Sequence, residues 1–359
     1  MREGWEYKKL GEVCEIYQPR TLSTDMLTDT GDYPVYGANG IIGYYNQYNH
    51  EDKEVLLTCR GATCGTINIS KPYSWINGNA MVIHRKSEEM FFDYLKYLML
   101  SIDYSFIITG AAQPQITRQK LAPTKIGIPS KSTQLAIVSE LDKINELIRL
   151  KKEQLKDFDN LAQSIFYEMF GDPVENEKGW ETKRLGDVCI YPANRLPISE
   201  IKPQNYVGVE NLQKNRAGII FSEKLPNINS ATEFILNDIL IGNIRPYLKK
   251  IWIANKNGGA SGDVVIVRIA SDLLLSMYLF KVLASDQFFE YDNTYTKGAK
   301  MPRGDRKAIS NFPIPLPPLH LQHLFAHRIE QIEHQKAEVQ KAIADLETLL
   351  ASRMQYWFE

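Results

Sequence analysis

The sequence predicts an α+β protein with two strand-rich domains in tandem repeat, separated by two long coiled-coil helices in a pseudo-twofold arrangement. Three observations predict this fold class. A ten-residue opening segment is written twice, a second set of matches follows at a constant offset, and two long heptad patterns share one register. The repeat is considered first because it determines how many structural units the chain contains.

The opening segment reads WEYKKLGEVC at residues 5–14 and WETKRLGDVC at residues 180–189, an offset of 175. Seven of the ten positions are identical. Later matches share an offset of 188, so the second copy is 13 residues longer in its middle. These later matches pair Gly110, Ala111, Pro114, Leu121, Pro129 and Gln134 with Gly298, Ala299, Pro302, Ile309, Pro317 and Gln322.

Each copy ends in a heptad pattern that predicts a helix of about 40 residues. Ten positions in each copy are separated by steps of four and three, and seventeen of the twenty are apolar. The shared register disfavours two unrelated surface helices, whereas parallel and antiparallel pairing both stay open. The positions are Ile137, Leu141, Ile144, Ile148, Lys151, Leu155, Phe158, Ala162, Ile165 and Met169, then Phe325, Ile329, Ile332, Lys336, Val339, Ile343, Leu346, Leu350, Arg353 and Trp357.

The repeat and the heptads divide the chain into a first domain at 1–131, a helix at 132–171, a second domain at 172–317 and a helix at 318–359. Gly171 and Pro173 are typical of a helix end, and Pro317-Pro318 is tolerated at a helix start. Runs such as EVLLTC, AMVIHR, NDILIG and DVVIVRI, bounded by Gly and Asn turns, predict strand-rich domain cores.

Composition excludes several classes of protein. Hydrophobic residues make up 44% and charged residues 24%, as in folded soluble proteins. Lys and Arg number 42 against 43 Asp and Glu, so nucleic-acid binding could not depend on a basic chain as a whole. No apolar run reaches the roughly 18 residues of a membrane span. With no signal-peptide pattern and only four cysteines, we expect a reducing, cytoplasmic setting.

No catalytic or metal-binding motif is recognised. The sequence contains no [DN]PP[YF] motif for amino-methylation, no phosphate-binding glycine loop and no HExxH. Four histidines, His320, His323, His327 and His334, fall outside the heptad seam and are not expected to bind a metal. Cys14 and Cys189, which match in the repeat, are expected to be small buried core residues. We therefore predict no catalytic site, no metal and no cofactor on this chain.

Local clusters of basic, amide and aromatic residues predict contacts with nucleic acid. Helix segments 132–170 and 318–359 together hold 9 basic and 13 acidic residues, which leaves the domains mildly basic. Arg, Asn and Gln read base edges, and Lys and Thr bind phosphates. Ordinary polar loops are the alternative. The candidates are Tyr36, Asn39, Arg60, Thr63, Gln115, Thr117, Arg118 and Lys120 in the first domain, and Asn243, Arg245, Tyr247, Lys249, Lys250, Lys300, Arg303 and Arg306 in the second. We expect Arg60 and Arg245 to be equivalent.

These motifs resemble the specificity (S) subunit of type I DNA restriction-modification systems over essentially the whole chain. The resemblance rests on the two opening segments, on YPVYGANGIIG and LTCRGATCGT with GNAMVI, on ILIGNIRPYLKKIWIAN with GDVVIV, and on IPLPPLHLQ before the second helix. It departs from the family pattern at Leu321, where an acidic residue is usual, and in IPSKSTQ, which lacks the double proline. Neither change touches a recognition loop.

The resemblance implies a non-catalytic subunit with two target-recognition domains that binds a bipartite site on double-stranded DNA. It implies an antiparallel helix pair that docks two methyltransferase (M) subunits, on which S-adenosylmethionine is bound, and possible restriction (R) subunits. Apolar residues outside the seam favour such docking. They are Leu135, Val138, Leu147, Leu150, Leu161, Leu321, Leu324 and Leu349. The alternative is a coiled-coil scaffold without sequence-specific DNA binding. A fragment of a fused restriction-methyltransferase is excluded because no methyltransferase motif fits.

Overall fold

The computed structural model describes residues 2–110, 113–298 and 300–359, so Ala111 and Ala299 of the repeat lie outside the described residues. Contacts divide the chain into two compact units. Unit 1 comprises Met1–Glu153 and Gln340–Glu359, and unit 2 comprises Gln154–Val339. The four predicted segments follow one another along the chain. The compact units differ from these segments, because each unit contains a part of both long helices.

Unit 1 is built on an antiparallel sheet in the order β2-β8-β5-β6, together with a sheet in the order β4-β3-β7 and the pair β1-β9. Every residue of β5 is buried, as expected of a strand covered on both faces. The strands are β1 (Glu6–Lys9), β2 (Cys14–Tyr17), β3 (Tyr33–Gly37), β4 (Gly40–Tyr45), β5 (Val55–Thr58), β6 (Ile67–Ile69), β7 (Trp75–Ile76), β8 (Ala80–Arg85) and β9 (Lys125–Ile128). The helices are α1 (Leu10–Val13), α2 (Phe92–Ser101), α3 (Arg118–Leu121) and part of α4 (Lys131–Phe170).

Unit 2 contains an equivalent sheet in the order β11-β18-β15-β16, a second sheet in the order β12-β14-β17-β13 and the pair β10-β19. The strands are β10 (Thr182–Arg184), β11 (Cys189–Ile190), β12 (Arg195–Pro197), β13 (Tyr206–Val207), β14 (Ser230–Phe234), β15 (Ile239–Gly242), β16 (Ile251–Ile253), β17 (Gly258–Ala260), β18 (Val264–Ile269) and β19 (Pro313–Pro315). The helices are α5 (Leu185–Val188), α6 (Ser276–Leu283), α7 (Asp286–Thr294), α8 (Arg306–Ser310) and part of α9 (Leu319–Phe358).

The two units repeat the same strand pairing at an offset of 184. Val55 of β5 pairs with Ile83 of β8, and Ile239 of β15 pairs with Val267 of β18. The offset thus rises from 175 at the opening segments to 184 at these strands, where unit 2 has the larger second sheet. It rises to 188 after α6, where unit 2 has α7 and unit 1 has a short 3-10 turn at Tyr104–Phe106. The 13 additional residues of the second copy are accommodated at these two places.

Both long helices have 40 residues, and their ends agree with the sequence signals. Gly171 has φ of 76° and its N–H bonds the carbonyl of Tyr167 at 2.9 Å, which is a glycine C-cap for α4. All twenty predicted seam positions are buried or half-buried. Within the described residues, neither these helices nor any other is long and apolar enough to cross a membrane.

The α4 and α9 segments pack antiparallel within each unit. In unit 1, Glu140 accepts from the guanidinium of Arg353, with Nη2 to Oε2 at 3.1 Å, and Lys152 Nζ lies 2.7 Å from Glu347 Oε1. As residue numbers rise along α4, the numbers of the paired residues on α9 fall, so the two segments are antiparallel. In unit 2 the order is the same: Asp159 pairs with Lys336 at 2.8 Å, and Met169 Sδ accepts from Arg328 at 3.8 Å.

Six of the eight apolar residues outside the seam are exposed, and the other two are not. Val138 packs against the unit 1 core and Leu321 packs against the unit 2 core. These two belong to the cores rather than to a surface, because each lies on the side of its helix that faces the domain. The exposed six are Leu135, Leu147, Leu150, Leu161, Leu324 and Leu349.

Candidate nucleic-acid interface

A short backbone ladder joins two loops of unit 1. The loop after β5 carries Arg60, and Arg60 pairs in a β-bridge with Gln115 of the segment before α3. The N–H of Gly61 donates to the carbonyl of Pro114 and that of Ile116 donates to the carbonyl of Cys59, each at 3.0 Å. Arg60 and Gln115 are both exposed, so the ladder presents a guanidinium and an amide side by side.

The β3–β4 turn adds a third segment to this loop cluster. Thr63 Oγ1 donates to Asn39 Oδ1 at 2.7 Å, and both residues are exposed. The hydroxyl of Thr58, at the end of β5, donates to the carbonyl of Ala38 in the same turn. Four of the predicted residues, Asn39, Arg60, Thr63 and Gln115, are therefore brought together by three loops that are far apart in sequence.

The other predicted residues of unit 1 lie elsewhere. Arg118 and Lys120 are exposed on α3, and the half-buried Thr117 is the N-cap residue of this helix, just after the ladder. Tyr36 is only 5% exposed and packs in a small core with Leu56 and Ile76. Its hydroxyl accepts from the backbone N–H of Lys71 at 3.1 Å. The prediction for Tyr36 is therefore corrected: this position of β3 faces inward, and Tyr36 is a core residue rather than an exposed group of the candidate interface.

Unit 2 contains the same ladder with different residues. Ile244 pairs with Arg303 in a β-bridge, the N–H of Arg245 donates to the carbonyl of Pro302 at 2.7 Å, and that of Gly304 donates to the carbonyl of Asn243 at 3.1 Å. Compared with unit 1, the ladder makes Arg60 equivalent to Ile244. The predicted equivalence of Arg60 and Arg245 is thus wrong by one residue, because the offset here is 184 and not 185.

Arg245 occupies the place of Gly61, and both have left-handed backbone conformations. Gly61 has φ of 88° and Arg245 has φ of 54°. A residue with a Cβ atom is strained in this region, whereas glycine is not. Arg245 is exposed, and the 3-10 turn Pro246–Leu248 that follows it also exposes Tyr247. The loop therefore stores strain while presenting an arginine and a tyrosine to solvent.

The carboxylate of Asp286 neutralises part of the positive charge around this loop. Lys249 Nζ lies 2.5 Å from Asp286 Oδ1, and Arg216 bonds the same oxygen. Hydrogen bonds from Lys249 and then Arg216 lower the pKa of Asp286. The sequence does not predict Arg216 as part of this site, since nothing in its local sequence connects it to a loop more than 30 residues later.

The remaining predicted residues of unit 2 differ in whether other groups of the protein hold their side chains. Arg303 lies 3.1 Å from Asp263, and Arg306 reaches the carbonyl of Gly262 at 3.5 Å. Lys250 donates to the carbonyl of Val209 at 2.6 Å, and burial lowers the pKa of its ammonium. Lys250 is thus held by the protein, whereas Lys300 is exposed.

Across the described ranges, no group of three or more His, Cys, Asp and Glu residues could hold a metal ion. The four histidines of α9 are exposed. Cys14 and Cys189 are buried core residues, as predicted, and burial raises the pKa of each thiol to about 12.

Comparisons with known proteins agree with this arrangement. The family described as the type I restriction modification DNA specificity domain matches twice, at residues 2–157 and 177–348. The specificity subunit of the Escherichia coli type I restriction enzyme EcoDI is 20% identical over 91% of this chain and 81% of its own length. A Haemophilus influenzae protein named putative type I restriction enzyme specificity subunit S.HindORF215P is 24% identical over 91% of this chain and 87% of its own length.

A solved structure shows the same fold. The S subunit of a type I restriction-modification system from M. genitalium has a TM-score of 0.59 at 14% identity, covering 99% of this chain and 96% of that one. The chain belongs to the family of type I restriction-modification DNA specificity domains, and it carries two of them in tandem. It is a DNA-specificity subunit of this class, which recognises DNA and is not itself an enzyme.

Proposed function

We propose that the chain recognises a bipartite DNA sequence, with one half-site read by each unit. The observation that carries this proposal is the ladder, which occurs in both units with different side chains. Its bridged pair is Arg60 and Gln115 in unit 1, and Ile244 and Arg303 in unit 2. Two different half-sites require different side chains on a common framework. Such an arrangement is possible because loop residues can vary while the scaffold stays the same.

The chemistry of the exposed groups supports base reading. A guanidinium pairs with O6 and N7 of guanine, and an amide pairs with N6 and N7 of adenine. Arg60 and Gln115 offer these groups in unit 1, and Arg245 and Arg303 offer guanidinium groups in unit 2. Asp263 near Arg303 would keep that guanidinium oriented until it meets DNA.

The six exposed leucines support an interface with methyltransferase subunits along α4 and α9. Exposed apolar area of this kind usually marks a protein contact. The internal repeat supports two copies of the partner, which bind the two related parts of a pseudo-twofold helix pair and carry S-adenosylmethionine. A restriction subunit is a further candidate partner. We place the complex in the cytoplasm, where its DNA target would be found.

Methylation mapping tests this proposal. The chain is co-expressed with its cognate methyltransferase, and modified bases are mapped across the genome. We expect two short defined sequences separated by an unread spacer, and no modification when the chain is omitted. Methylation of a single continuous motif would contradict the bipartite reading. A coiled-coil scaffold would give the same methylation pattern with and without the chain.

A further inference from the structure

Three acceptor oxygens meet behind the unit 2 ladder with no donor between them. Asp292 of α7 is fully buried, and neither of its carboxylate oxygens has a hydrogen-bond partner. Oδ1 of Asn243 is also buried and unpartnered. A Cβ atom on Gly304 would lie 2.5 and 3.0 Å from the two Asp292 oxygens and 2.9 Å from Asn243 Oδ1. The three oxygens therefore surround one point of the ladder.

An arrangement with acceptors alone is unfavourable, because each buried unpaired oxygen has lost its hydrogen bonds to water and gained none in the protein. The ionisable groups that act on Asp292 do not supply a donor. Asp305 is itself acidic and pairs with Lys297. The Tyr191 hydroxyl accepts from Ser310 and makes no hydrogen bond to Asp292. The amide of Asn243 does have a donor, and a half-turn about its terminal bond exchanges oxygen and nitrogen without moving another atom.

We propose that Asp292 is a positioning residue that holds the Asn243 amide with its nitrogen inward and its oxygen toward the DNA. This inference rests on the proposed function, and it extends that function to Asn243, which the sequence predicts to contact DNA. An outward amide oxygen accepts hydrogen bonds, so it selects a base that presents an amino group in the major groove. That group is N4 of cytosine or N6 of adenine. Guanine and thymine present only acceptors there and are rejected at this position.

Because Asp292 can be protonated, its role should be detectable in the pH dependence of base discrimination. With no donor on its oxygens, burial and then the charge of Asp305 raise the pKa of Asp292 to about 6. A hydrogen bond from the Asn243 nitrogen stabilises the carboxylate and lowers this pKa, so the carboxylate is the form present at pH 7.5. Above its pKa the carboxylate accepts from the Asn243 nitrogen. Below it the carboxyl carries a proton, donates to the Asn243 oxygen and turns the amide nitrogen outward. Discrimination for an amino-bearing base should therefore be high at pH 7.5 and fall at pH 5.5.

The experiment measures DNA affinity of the chain in complex with its methyltransferase. Duplexes differ at one base pair of the unit 2 half-site, and discrimination is the ratio of their dissociation constants. For the wild type we expect at least a tenfold ratio at pH 7.5 and a smaller ratio at pH 5.5. Asp292→Asn can present either side of its amide to Asn243, so its ratio should be low and independent of pH. Glu290→Gln, on the exposed side of the same helix, should behave as the wild type does.

Unit 1 provides an internal control, because discrimination at its half-site should not follow the pH profile of unit 2. A wild-type ratio in unit 2 that is flat from pH 5.5 to 7.5 overturns the inference, and it does so even if Asp292→Asn fails to fold. An unchanged ratio in a folded Asp292→Asn variant also overturns it. If Arg245→Ala and Arg303→Ala weaken binding but Asn243→Ala does not, the inference fails and the proposed function stands. If none of the three weakens binding, both fail.

Discussion

Gln134 and Gln322 make the same hydrogen bonds at the start of the two long helices. Each is fully buried. Oε1 of Gln134 accepts from the N–H of Phe91 at 2.9 Å, and Oε1 of Gln322 accepts from that of Leu275 at 2.8 Å. The Nε2 of each donates to the carbonyl five residues earlier and to a carbonyl before α2 or α6. Each glutamine thus fastens a long helix to its domain.

Gln134→Ala should lower the free energy of unfolding of unit 1 by at least about 2 kcal/mol, because a buried N–H and two carbonyls lose their partner. Urea denaturation of the full chain measures the loss, and hydrogen exchange at α2 locates it. Gln163→Ala, at an exposed position of the same helix, is the matched control and should change stability little. Equal stability of the two variants would show that Gln134 does not fasten the helix.

Arg60→Ala should weaken binding by about 1–3 kcal/mol if the guanidinium pairs with a guanine. Only the unit 1 half-site should relax, because Arg60 belongs to the unit 1 ladder. Binding assays and methylation mapping of the variant both report this. Lys71→Ala, which removes an exposed positive charge from the same unit, is the control. Unchanged affinity together with an unchanged motif would remove Arg60 from the interface.

Arg245→Gly and Arg245→Ala separate backbone strain from recognition. Both remove the guanidinium and should weaken DNA binding to a similar extent. The glycine variant should nevertheless be more stable than the alanine variant by about 1 kcal/mol, since a left-handed backbone costs a residue with a Cβ about 1–2 kcal/mol. Thermal unfolding measures this difference. On α8 the order should reverse, with Arg306→Gly less stable than Arg306→Ala. The same order at both positions would mean that Arg245 is unstrained.

The sequence predicts the repeating framework well, because both the residues shared by the two copies and the heptad period indicate it. The matching Gln134 and Gln322, the heptads and the buried Cys14 and Cys189 all lie in segments where packing restricts residue choice. The ladder is harder to predict. The residues around Arg60 are not identical to those of the second copy, so an alignment of the two copies can be shifted by one position there. The burial of Tyr36 is not predictable, because a strand alternates its faces and the sequence does not state which face is buried.

Arg216, Asp286 and Asp292 could not be predicted for a different reason. Each acts on a loop that is distant in sequence, and its role follows from the fold alone. Asp286 and Asp292 lie on α7, which forms where the second copy is longer than the first. A comparison of the two copies therefore offers no equivalent helix from which their roles could be inferred.

Lengthening both long helices should alter the spacer of the DNA target and leave its half-sites unchanged. Four residues inserted within Lys151–Lys156 of α4 and four near Lys341 of α9 add about 6 Å and nearly preserve the helical phase. At about 3.4 Å per base pair this is one or two base pairs of spacer. A two-residue insertion is the control, since it turns the apolar seam away and should destabilise the protein. Full activity on the original spacer would mean that the helices do not set the distance.

Leu147→Gln combined with Leu150→Gln should weaken the complex with methyltransferase and leave the fold intact. Both side chains are nearly half exposed, so their replacement removes little buried area from the protein itself. Co-purification and analytical ultracentrifugation measure the complex, and thermal unfolding monitors the fold. Lys156→Gln, an exposed polar position of α4, is the control. A complex of normal strength would place the methyltransferase elsewhere.

The last turns of α9 belong to unit 1, and this has a consequence for chimeric proteins. Leu350, Met354, Trp357 and Phe358 pack against the unit 1 core, which is otherwise formed by residues at the other end of the chain. A recombination event within α4 that replaced only residues 1–153 would combine a foreign core with a native tail. Functional chimeras with new target specificities should therefore arise most readily in two cases. Either the incoming segment keeps the residues that contact the last turns of α9, or the segment and these last turns are exchanged together.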